Sequence, residues 1–236
     1  MKEKELVRLT ELKKIEKEVY NEGYKYICGI DEAGRGPLAG PVVVASVIMP
    51  KESMIEGVND SKKISEKKRE KLYDLIIDEA ISYGVGIISQ EKIDEINILN
   101  ATKEGLTNSI KELKTKPDII LVDALTKIDT MGIPYRSVIK GDAKIYSIAC
   151  ASIIAKVTRD RIMKEWDKVY SEYGFAAHKG YGTAKHIAAI KEFGLCPIHR
   201  RSFTTKFVWN WNLPIGTEKN GRFPAIFLRP FWQISI

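Results

Sequence analysis

Cysteine is scarce in this chain of 236 residues, and long hydrophobic runs are absent. Cys28, Cys150 and Cys196 are odd in number, far apart and without paired spacing, so neither a disulfide framework nor a zinc ribbon is expected. The apolar run at residues 41–50 is far shorter than the roughly 20 residues that span a bilayer. The first six residues, MKEKEL, alternate in charge and lack the apolar core of a secretory signal. We therefore expect a cytoplasmic protein without membrane contact.

The composition indicates one globular core and an anionic partner. With 44% apolar residues, the chain can bury a single sizeable core, and we expect a monomer. Lysine and arginine number 38 against 31 aspartate and glutamate, and the formal net charge of +7 favours polyanions such as nucleic acid. Residues 1–22 are predicted to form an amphipathic N-terminal helix, and residues 206–236 an aromatic-rich tail of unknown role.

Two adjacent carboxylates follow the first predicted strand, at residues 26–30. Asp31 and Glu32 sit at the end of an apolar run, where buried charge is costly unless a cation or hydrogen bonds compensate it. They indicate either a solvated strand end or a metal site. Because consecutive strand residues point to opposite faces, they can share one pocket only if the strand ends there.

A glycine-flanked arginine comes next. Gly34, Arg35 and Gly36, followed by Pro37, predict a tight turn with backbone N–H groups exposed beside a cationic side chain. Arginine donates in a planar fork, and small glycines allow a ligand to approach the main chain. Such a turn suits phosphate groups or sugar hydroxyls.

Two further acidic residues follow strands. Asp123 ends the apolar strand predicted at residues 117–123, and in a sheet with neighbouring parallel strands its carboxylate would converge with those of Asp31 and Glu32. Asp142 lies in the turn after a short strand at residues 134–139 and before a long helix at residues 145–169. Taken singly, either residue is also typical of a helix cap or a turn. Asp160, between two arginines, predicts a surface ion pair instead.

The remaining periodicity predicts an alternating α/β chain. Strands are expected at residues 42–49, pairing with the first strand, and at residues 81–89. Helices are expected at residues 2–21, 65–79, 98–113 and 183–193, with Thr183 as the cap of the last.

The segment GIDEAGRGPLAGPV, residues 29–42, closely resembles the signature of type 2 ribonucleases H, the bacterial ribonuclease HII family. Three further blocks match that family in order: NDSKK at residues 59–63, KGD at 140–142 leading into ASIIAKVTRD at 151–160, and HKGYGT at 178–183. The resemblance spans about residues 10–205. It implies a ribonuclease H-like α/β fold, a mixed five-stranded sheet flanked by helices with a C-terminal helical extension, and a catalytic domain at residues 23–205.

The resemblance also implies an activity and a site. Asp31, Glu32, Asp123 and Asp142 are expected to hold Mg²⁺ or Mn²⁺, since carboxylates without a histidine or cysteine cluster suit hard cations. Two such ions about 4 Å apart can activate water and neutralise the leaving oxygen of a phosphodiester. The expected substrate is the RNA strand of an RNA-DNA hybrid, or a ribonucleotide in duplex DNA cut on its 5′ side, giving 5′-phosphate and 3′-hydroxyl ends.

Six residues are expected to contact nucleic acid: Gly34, Arg35, Gly36, Ser61, Lys62 and Tyr181. In the resembled family the Gly-Arg-Gly turn senses a 2′-hydroxyl and the tyrosine packs on the adjacent deoxyribose, while a ring flanked by glycines itself suits stacking. His186 and His199 are expected to make local hydrogen bonds only.

Three alternatives remain at this point. Ribonuclease HIII carries an additional N-terminal domain, and the roughly 25 residues before the first strand favour HII. A DNA nuclease or integrase would use the same carboxylates, and a non-catalytic module would bind hybrids without turnover.

Overall fold

The computed structural model describes residues 2–207, and these form a mixed five-stranded sheet with helices on both faces. The order is β3-β2-β1-β4-β5. β1 pairs antiparallel with β2 and parallel with β4, β2 pairs antiparallel with β3, and β4 pairs parallel with β5. The predicted fold class is confirmed. The strands are β1 (Ile27–Ala33), β2 (Val42–Ile48), β3 (Ser82–Ile88), β4 (Ile119–Asp123) and β5 (Tyr135–Val138).

Eight α-helices lie within residues 2–207, and the longest is packed against the centre of the sheet. They are α1 (Glu3–Leu12), α2 (Lys14–Asn21), α3 (Glu66–Glu79), α4 (Gln90–Lys111), α5 (Tyr146–Val169), α6 (Phe175–His178), α7 (Ala184–Phe193) and α8 (Arg201–Thr204). Short 3₁₀ turns occur at Ser61–Lys63, Gly141–Ala143 and Ser171–Tyr173. The predicted cap of α7 is confirmed, because Thr183 Oγ1 accepts from the His186 amide at 3.3 Å.

Alternation along β2 divides the core into two layers. Val43, Ala45 and Val47 pack with residues of α3 and α5, whereas Val44 and Ile48 face Leu106 and Ile110 of α4. All seven residues of β2 are buried, as expected of a central strand covered on both faces. The sheet is therefore the middle layer of three.

The small residues of α5 allow a close approach to β1. A side chain at Gly29 of β1 would place its Cβ 2.2 Å from the Ser147 carbonyl carbon of α5, which leaves room for glycine alone. This contact fixes the height of α5 over the acidic end of β1. The sequence prediction of a long helix rich in small residues is confirmed.

Two predicted helices differ from the structure. The helix expected at residues 2–21 breaks at Lys13, and its halves bury different faces: Leu9 and Leu12 join the layer of α3 and α5, while Val19 packs with Ile27. The helix expected from residue 98 begins at Gln90. It is kinked at Asn97, where φ is 66° and the side chain accepts from the next turn's amides.

The C-terminal helices form a separate apolar cluster against α5. Tyr173, Phe175, Ile190 and Ile198 are buried there with Met163 of α5. The predicted aromatic tail lies outside the described residues apart from positions 206 and 207, and the domain boundaries stay predictions. Among residues 2–207, no helix has both the length and the apolar content needed to cross a membrane.

Candidate active site

The acidic end of β1 is paired on one side only. β1 continues to Ala33 along β2, but its pairing with β4 stops at Ile30, opposite Val122. The prediction that the strand ends at residue 30 is therefore wrong, because β2 extends the ladder by three residues. Toward β4, however, the sheet opens beyond Ile30, and this opening is where the acidic side chains meet.

Asp31 is buried, with 6% of its surface exposed. Its Oδ1 accepts from the Glu32 amide at 2.8 Å. Burial, and then the negative charges of Glu32, Asp123 and Asp142, raise the pKa of Asp31 well above its usual range. The charges of all three other predicted carboxylates thus act on Asp31.

One carboxylate oxygen of Glu32 accepts a hydrogen bond, and the other has no partner among the described residues. Its Oε1 accepts from Arg35 Nη1 at 3.3 Å, whereas its buried Oε2 finds no hydrogen-bond partner among the described residues. Burial raises the pKa of Glu32, although the charges of Arg35 and Lys62 act in the opposite direction. A buried carboxylate oxygen without a partner is costly, which makes it a candidate metal ligand.

Asp123 connects the end of β4 to the 3₁₀ turn at Gly141–Ala143. Its Oδ1 accepts from the Gly141 amide at 2.9 Å. The turn begins after Lys140, which adopts a left-handed backbone with φ of 59°. Asp123 thus serves as a turn acceptor and also points its carboxylate to the cluster.

Asp142 is buried in that turn and does not cap α5, whose cap position is Ile145. Its Oδ2 lies 3.4 Å from Lys62 Nζ. Burial alone would lower the pKa of Lys62, but the carboxylates of Asp142 and Asp31 outweigh it and raise the value. Lys62 therefore stays charged beside the acidic cluster.

The donor set fits a hard divalent cation. All four acidic residues offer carboxylate oxygens, the ligands that Mg²⁺ and Mn²⁺ prefer, and one oxygen is buried without a partner. Within residues 2–207, no group of three or more carboxylate, imidazole or thiol side chains stands at a spacing that would hold a metal ion. Lys62 and Arg35 instead occupy positions beside the carboxylates, where they offset part of the negative charge.

The loop after β2 places its two predicted substrate residues differently. Ser61 is buried, and its hydroxyl bonds to Ser152 Oγ of α5 at 2.7 Å, while its carbonyl accepts from Arg69. Lys62 is exposed and reaches the acidic cluster. The geometry thus anchors the loop through Ser61 and presents Lys62 to solvent.

Tyr181 stands next to the Gly34–Gly36 turn. The ring is 44% exposed, and a Cβ built on Gly36 would lie 3.9 Å from its Cε1. Lys156 Nζ and the Arg159 guanidinium carbon each lie 6.0 Å from the ring centroid. The predicted turn and ring therefore form one continuous surface, with cations behind the ring.

Asp160 corrects one sequence prediction. It forms an ion pair as expected, but it is buried and not on the surface, and its partners are Lys156 and Arg69 instead of the neighbouring arginines. Its position on α5 turns it toward α3, away from the acidic cluster. The sequence neighbours were misleading because adjacent residues on a helix do not face each other.

The predicted local role of His186 and His199 is confirmed, since their Nε2 atoms lie 3.0 Å apart. Two buried residues near the site, Arg159 and Arg200, were not singled out by sequence reasoning. Arg159 carries a weak signal, because it falls on the apolar face of α5. Arg200 carries none, since it adjoins a second arginine in an ordinary polar segment.

A family model for ribonuclease HII matches residues 28–206. The ribonuclease HII of Acetivibrio thermocellus is 61% identical over 206 residues, which cover 87% of this chain and 80% of that protein. The ribonuclease HII of Clostridioides difficile is 56% identical over 200 residues, which cover 85% of this chain and 78% of that protein.

Solved structures share the fold. The ribonuclease H2 of Pyrococcus horikoshii is 29% identical with a TM-score of 0.65, covering 78% of this chain and all of that one. The ribonuclease HII of Archaeoglobus fulgidus, solved in complex with PCNA, is 30% identical with a TM-score of 0.62, covering 75% and 94%. The resemblance read from the four sequence blocks is confirmed, and the chain belongs to the ribonuclease HII family of endoribonucleases.

Proposed function

We propose that this endoribonuclease hydrolyses the RNA strand of RNA-DNA hybrids and cuts on the 5′ side of ribonucleotides embedded in duplex DNA. The products are 5′-phosphate and 3′-hydroxyl ends. The observation that carries the proposal is the convergence of Asp31, Glu32, Asp123 and Asp142 at the open end of β1, with Glu32 Oε2 unpaired among the described residues. A role in removing ribonucleotides from DNA follows from the substrate. The cytoplasmic location and the monomeric state stay predictions.

Asp31, Glu32, Asp123 and Asp142 would hold Mg²⁺ or Mn²⁺. Two bound ions supply an activated water and charge neutralisation at the leaving oxygen, so the chain needs no nucleophile of its own. The chain's part is to hold the four carboxylates in a partly enclosed cleft. The backbone amides of Glu32 and Gly141 help to hold them in place, because they donate to one carboxylate oxygen of Asp31 and of Asp123, respectively.

The nucleic acid would lie across the surface formed by the Gly34–Gly36 turn, Lys62 and Tyr181. Lys62 and Arg35 carry positive charge at the edge of the acidic cluster, where phosphates of the substrate would replace part of their contact with Asp142 and Glu32. Tyr181 offers an exposed ring to a sugar or base. Ser61 would act indirectly, by holding the loop that carries Lys62.

The test is cleavage of three duplexes of one sequence: all DNA, DNA with one ribonucleotide, and an RNA-DNA hybrid. We expect cutting of the second and third with Mg²⁺ or Mn²⁺, none with a chelator, and none of the first. Asp31→Asn should still bind the ribonucleotide duplex but lose cutting by about 100-fold or more. Equal cutting of the all-DNA duplex would support the DNA nuclease alternative. An Asp31→Asn variant as fast as the wild type would show that the site is elsewhere.

A further inference from the structure

Two completely buried arginines lie under the substrate-facing turn. Arg159 of α5 and Arg200, which precedes α8, both have 0% of their surface exposed. Their guanidinium groups donate to backbone carbonyls of the segment from Gly34 to Pro41. Arg159 donates to the carbonyls of Pro41 and Lys179, each at 2.9 Å, and to that of Ala39 at 3.0 Å. Arg200 donates to four carbonyls: Gly34 at 2.6 Å, Gly40 at 2.9 Å, Arg35 at 3.0 Å and Pro41 at 3.1 Å.

Neither buried cation forms a close ion pair, although the charge of Asp160 acts on Arg159 and that of Asp94 on Arg200. Within residues 2–207, no carboxylate lies within 4.0 Å of either guanidinium. Burial lowers the pKa of Arg159 to about 10 and that of Arg200 to about 9, so both stay charged at neutral pH. Burying a charge is costly, and here the cost is offset by hydrogen bonds to backbone carbonyls that would otherwise be buried without donors. The retention of two such charges in one place calls for a reason beyond packing.

The hydrogen bonds of Arg200 determine which way the turn's amides point. In a planar trans peptide, the C=O and the following N–H point in opposite directions. Because the carbonyls of Gly34 and Arg35 point inward to Arg200, the N–H groups of Arg35 and Gly36 must point outward. Both residues are exposed, and among residues 2–207 neither amide has a hydrogen-bond partner.

Arg159 extends the same support to the loop that carries Tyr181. It joins Ala39 and Pro41 to Lys179 through one guanidinium, and the Leu38 amide donates to the Gly180 carbonyl at 2.8 Å. A side chain at Gly34 would place its Cβ 2.1 Å from Arg159 Nε, so the turn lies directly on the arginine. The turn and the Tyr181 loop are therefore held as one unit.

We propose that Arg159 and Arg200 are positioning residues, which hold the outward amides of Arg35 and Gly36 as a preformed binding site for an oxygen of the nucleic-acid backbone. The inference rests on the proposed function. Two adjacent N–H groups with a buried positive charge behind them suit a phosphate or sugar oxygen, and rigid donors lose little entropy on binding. Neither arginine contacts the substrate itself.

The test compares Arg200→Lys, which keeps the charge but not the planar fork, with Arg161→Lys. Arg161 is a matched control, since it lies on α5 two residues from Arg159 but pairs with Glu70 of α3. For Arg200→Lys we expect KM on the ribonucleotide duplex to rise about tenfold while kcat changes little, and hydrogen exchange of residues 34–41 to accelerate. Arg161→Lys should show neither change. Urea unfolding confirms that each variant is folded.

A second measurement uses the wild type alone. Titration with the ribonucleotide duplex in the presence of chelator should shift the amide resonances of Arg35 and Gly36 and slow their exchange. Unchanged amides on binding, or an Arg200→Lys variant with wild-type KM and wild-type exchange at residues 34–41, would overturn the inference. Failure of the proposed function looks different, because the wild type itself would then neither bind nor cut the duplex.

Discussion

At the scale of single residues, the carboxylates of the candidate site are buried with too little positive charge around them. Cations bound from solution would supply the rest. Glu32 has one oxygen on Arg35 and the other buried without a partner among the described residues. Asp31 is more buried still and has three acidic neighbours. Such a cluster lowers the stability of the metal-free protein and is stabilised when cations bind.

Glu32→Gln should therefore raise the stability of the metal-free protein while lowering its activity. Without divalent metal, we expect the free energy of unfolding to rise by about 1 kcal/mol, because a buried, poorly partnered charge is removed. With Mg²⁺, the wild type should gain stability and the variant should gain less, and cutting should fall sharply. Urea unfolding with and without Mg²⁺ measures both effects. A variant less stable than the wild type in chelator would contradict this view of the cluster.

Residue patterns predicted the position of three of the four carboxylates in the fold, for a physical reason. Asp31, Glu32 and Asp123 follow apolar strands, and the ends of parallel strands meet at one edge of a sheet. The burial of Asp160 and of Arg200 was not predictable, because Asp160 is covered in part by Arg69 of α3 and Arg200 by the turn at Gly34, both distant in the chain. Local sequence shows the charge of a residue but not the fold that surrounds it.

At the scale of elements, the contact between α5 and β1 controls the geometry of the site. The start of α5 lies against Gly29, two residues before Asp31, and the turn that carries Asp142 immediately precedes that helix. A shift of α5 would therefore move Asp142 relative to Asp31.

Gly29→Ala should lower the free energy of unfolding by about 3 kcal/mol, since its Cβ would overlap the backbone of α5. Gly132→Ala is the control: its φ is 78°, but within residues 2–207 nothing lies within 4 Å of an added Cβ. Backbone strain alone should cost that variant about 1 kcal/mol. Chemical unfolding of both variants measures the difference. Equal losses would mean that the close approach of α5 to β1 is unimportant.

The prediction of α4 failed where a side chain competes with backbone carbonyls for the amides of the helix. The kink of α4 arises because the Asn97 side chain accepts from the amides of Leu99 and Asn100, which starts a second helical segment. The polar stretch before it gave no apolar period, so the first turns of α4 were missed. Long helices with clear periods, such as α3 and α5, were predicted to within about a residue.

At the scale of the whole molecule, a buried histidine pair connects the C-terminal helices to the loop that carries Tyr181. His199 Nδ1 accepts from the Cys196 amide at 2.9 Å, so its Nε2 carries the proton and donates to His186 Nε2. His186 Nδ1 then donates to the Tyr181 carbonyl at 2.9 Å. A second proton on His186 would set two N–H groups against each other, and a second proton on His199 would face the Cys196 amide, with the Cys196 carbonyl at 3.2 Å as its acceptor.

Acid should therefore destabilise the protein through these rings. Burial lowers the pKa of His186 to about 4 and that of His199 to about 3, from an ordinary value of 6.5. As pH falls from 6.5 toward 4, the two histidines bind protons in the unfolded chain but stay largely unprotonated in the native protein. The free energy of unfolding therefore decreases. We expect on the order of 1 kcal/mol for each ring between pH 7 and pH 5, allowing for partial solvent screening.

The variant His199→Gln isolates this contribution. Its free energy of unfolding should be lower at pH 7 than that of the wild type, but it should depend less on pH between 7 and 5. Urea titrations at both pH values measure the slope. The account of the histidine pair is wrong if the variant shows the same pH dependence as the wild type.

We propose above that carboxylates from β1, β4 and the turn before α5 form one divalent-metal site. Calorimetric titration with Mn²⁺ tests it most directly, comparing the wild type with Asp31→Asn and with Asp118→Asn. Asp118 is the matched control, because it precedes β4 at the end opposite Asp123 and only accepts from the amides of Lys25 and Tyr26. We predict Mn²⁺ binding to the wild type and to Asp118→Asn, weakened about 100-fold in Asp31→Asn. Equal Mn²⁺ affinity in all three proteins would contradict the claim.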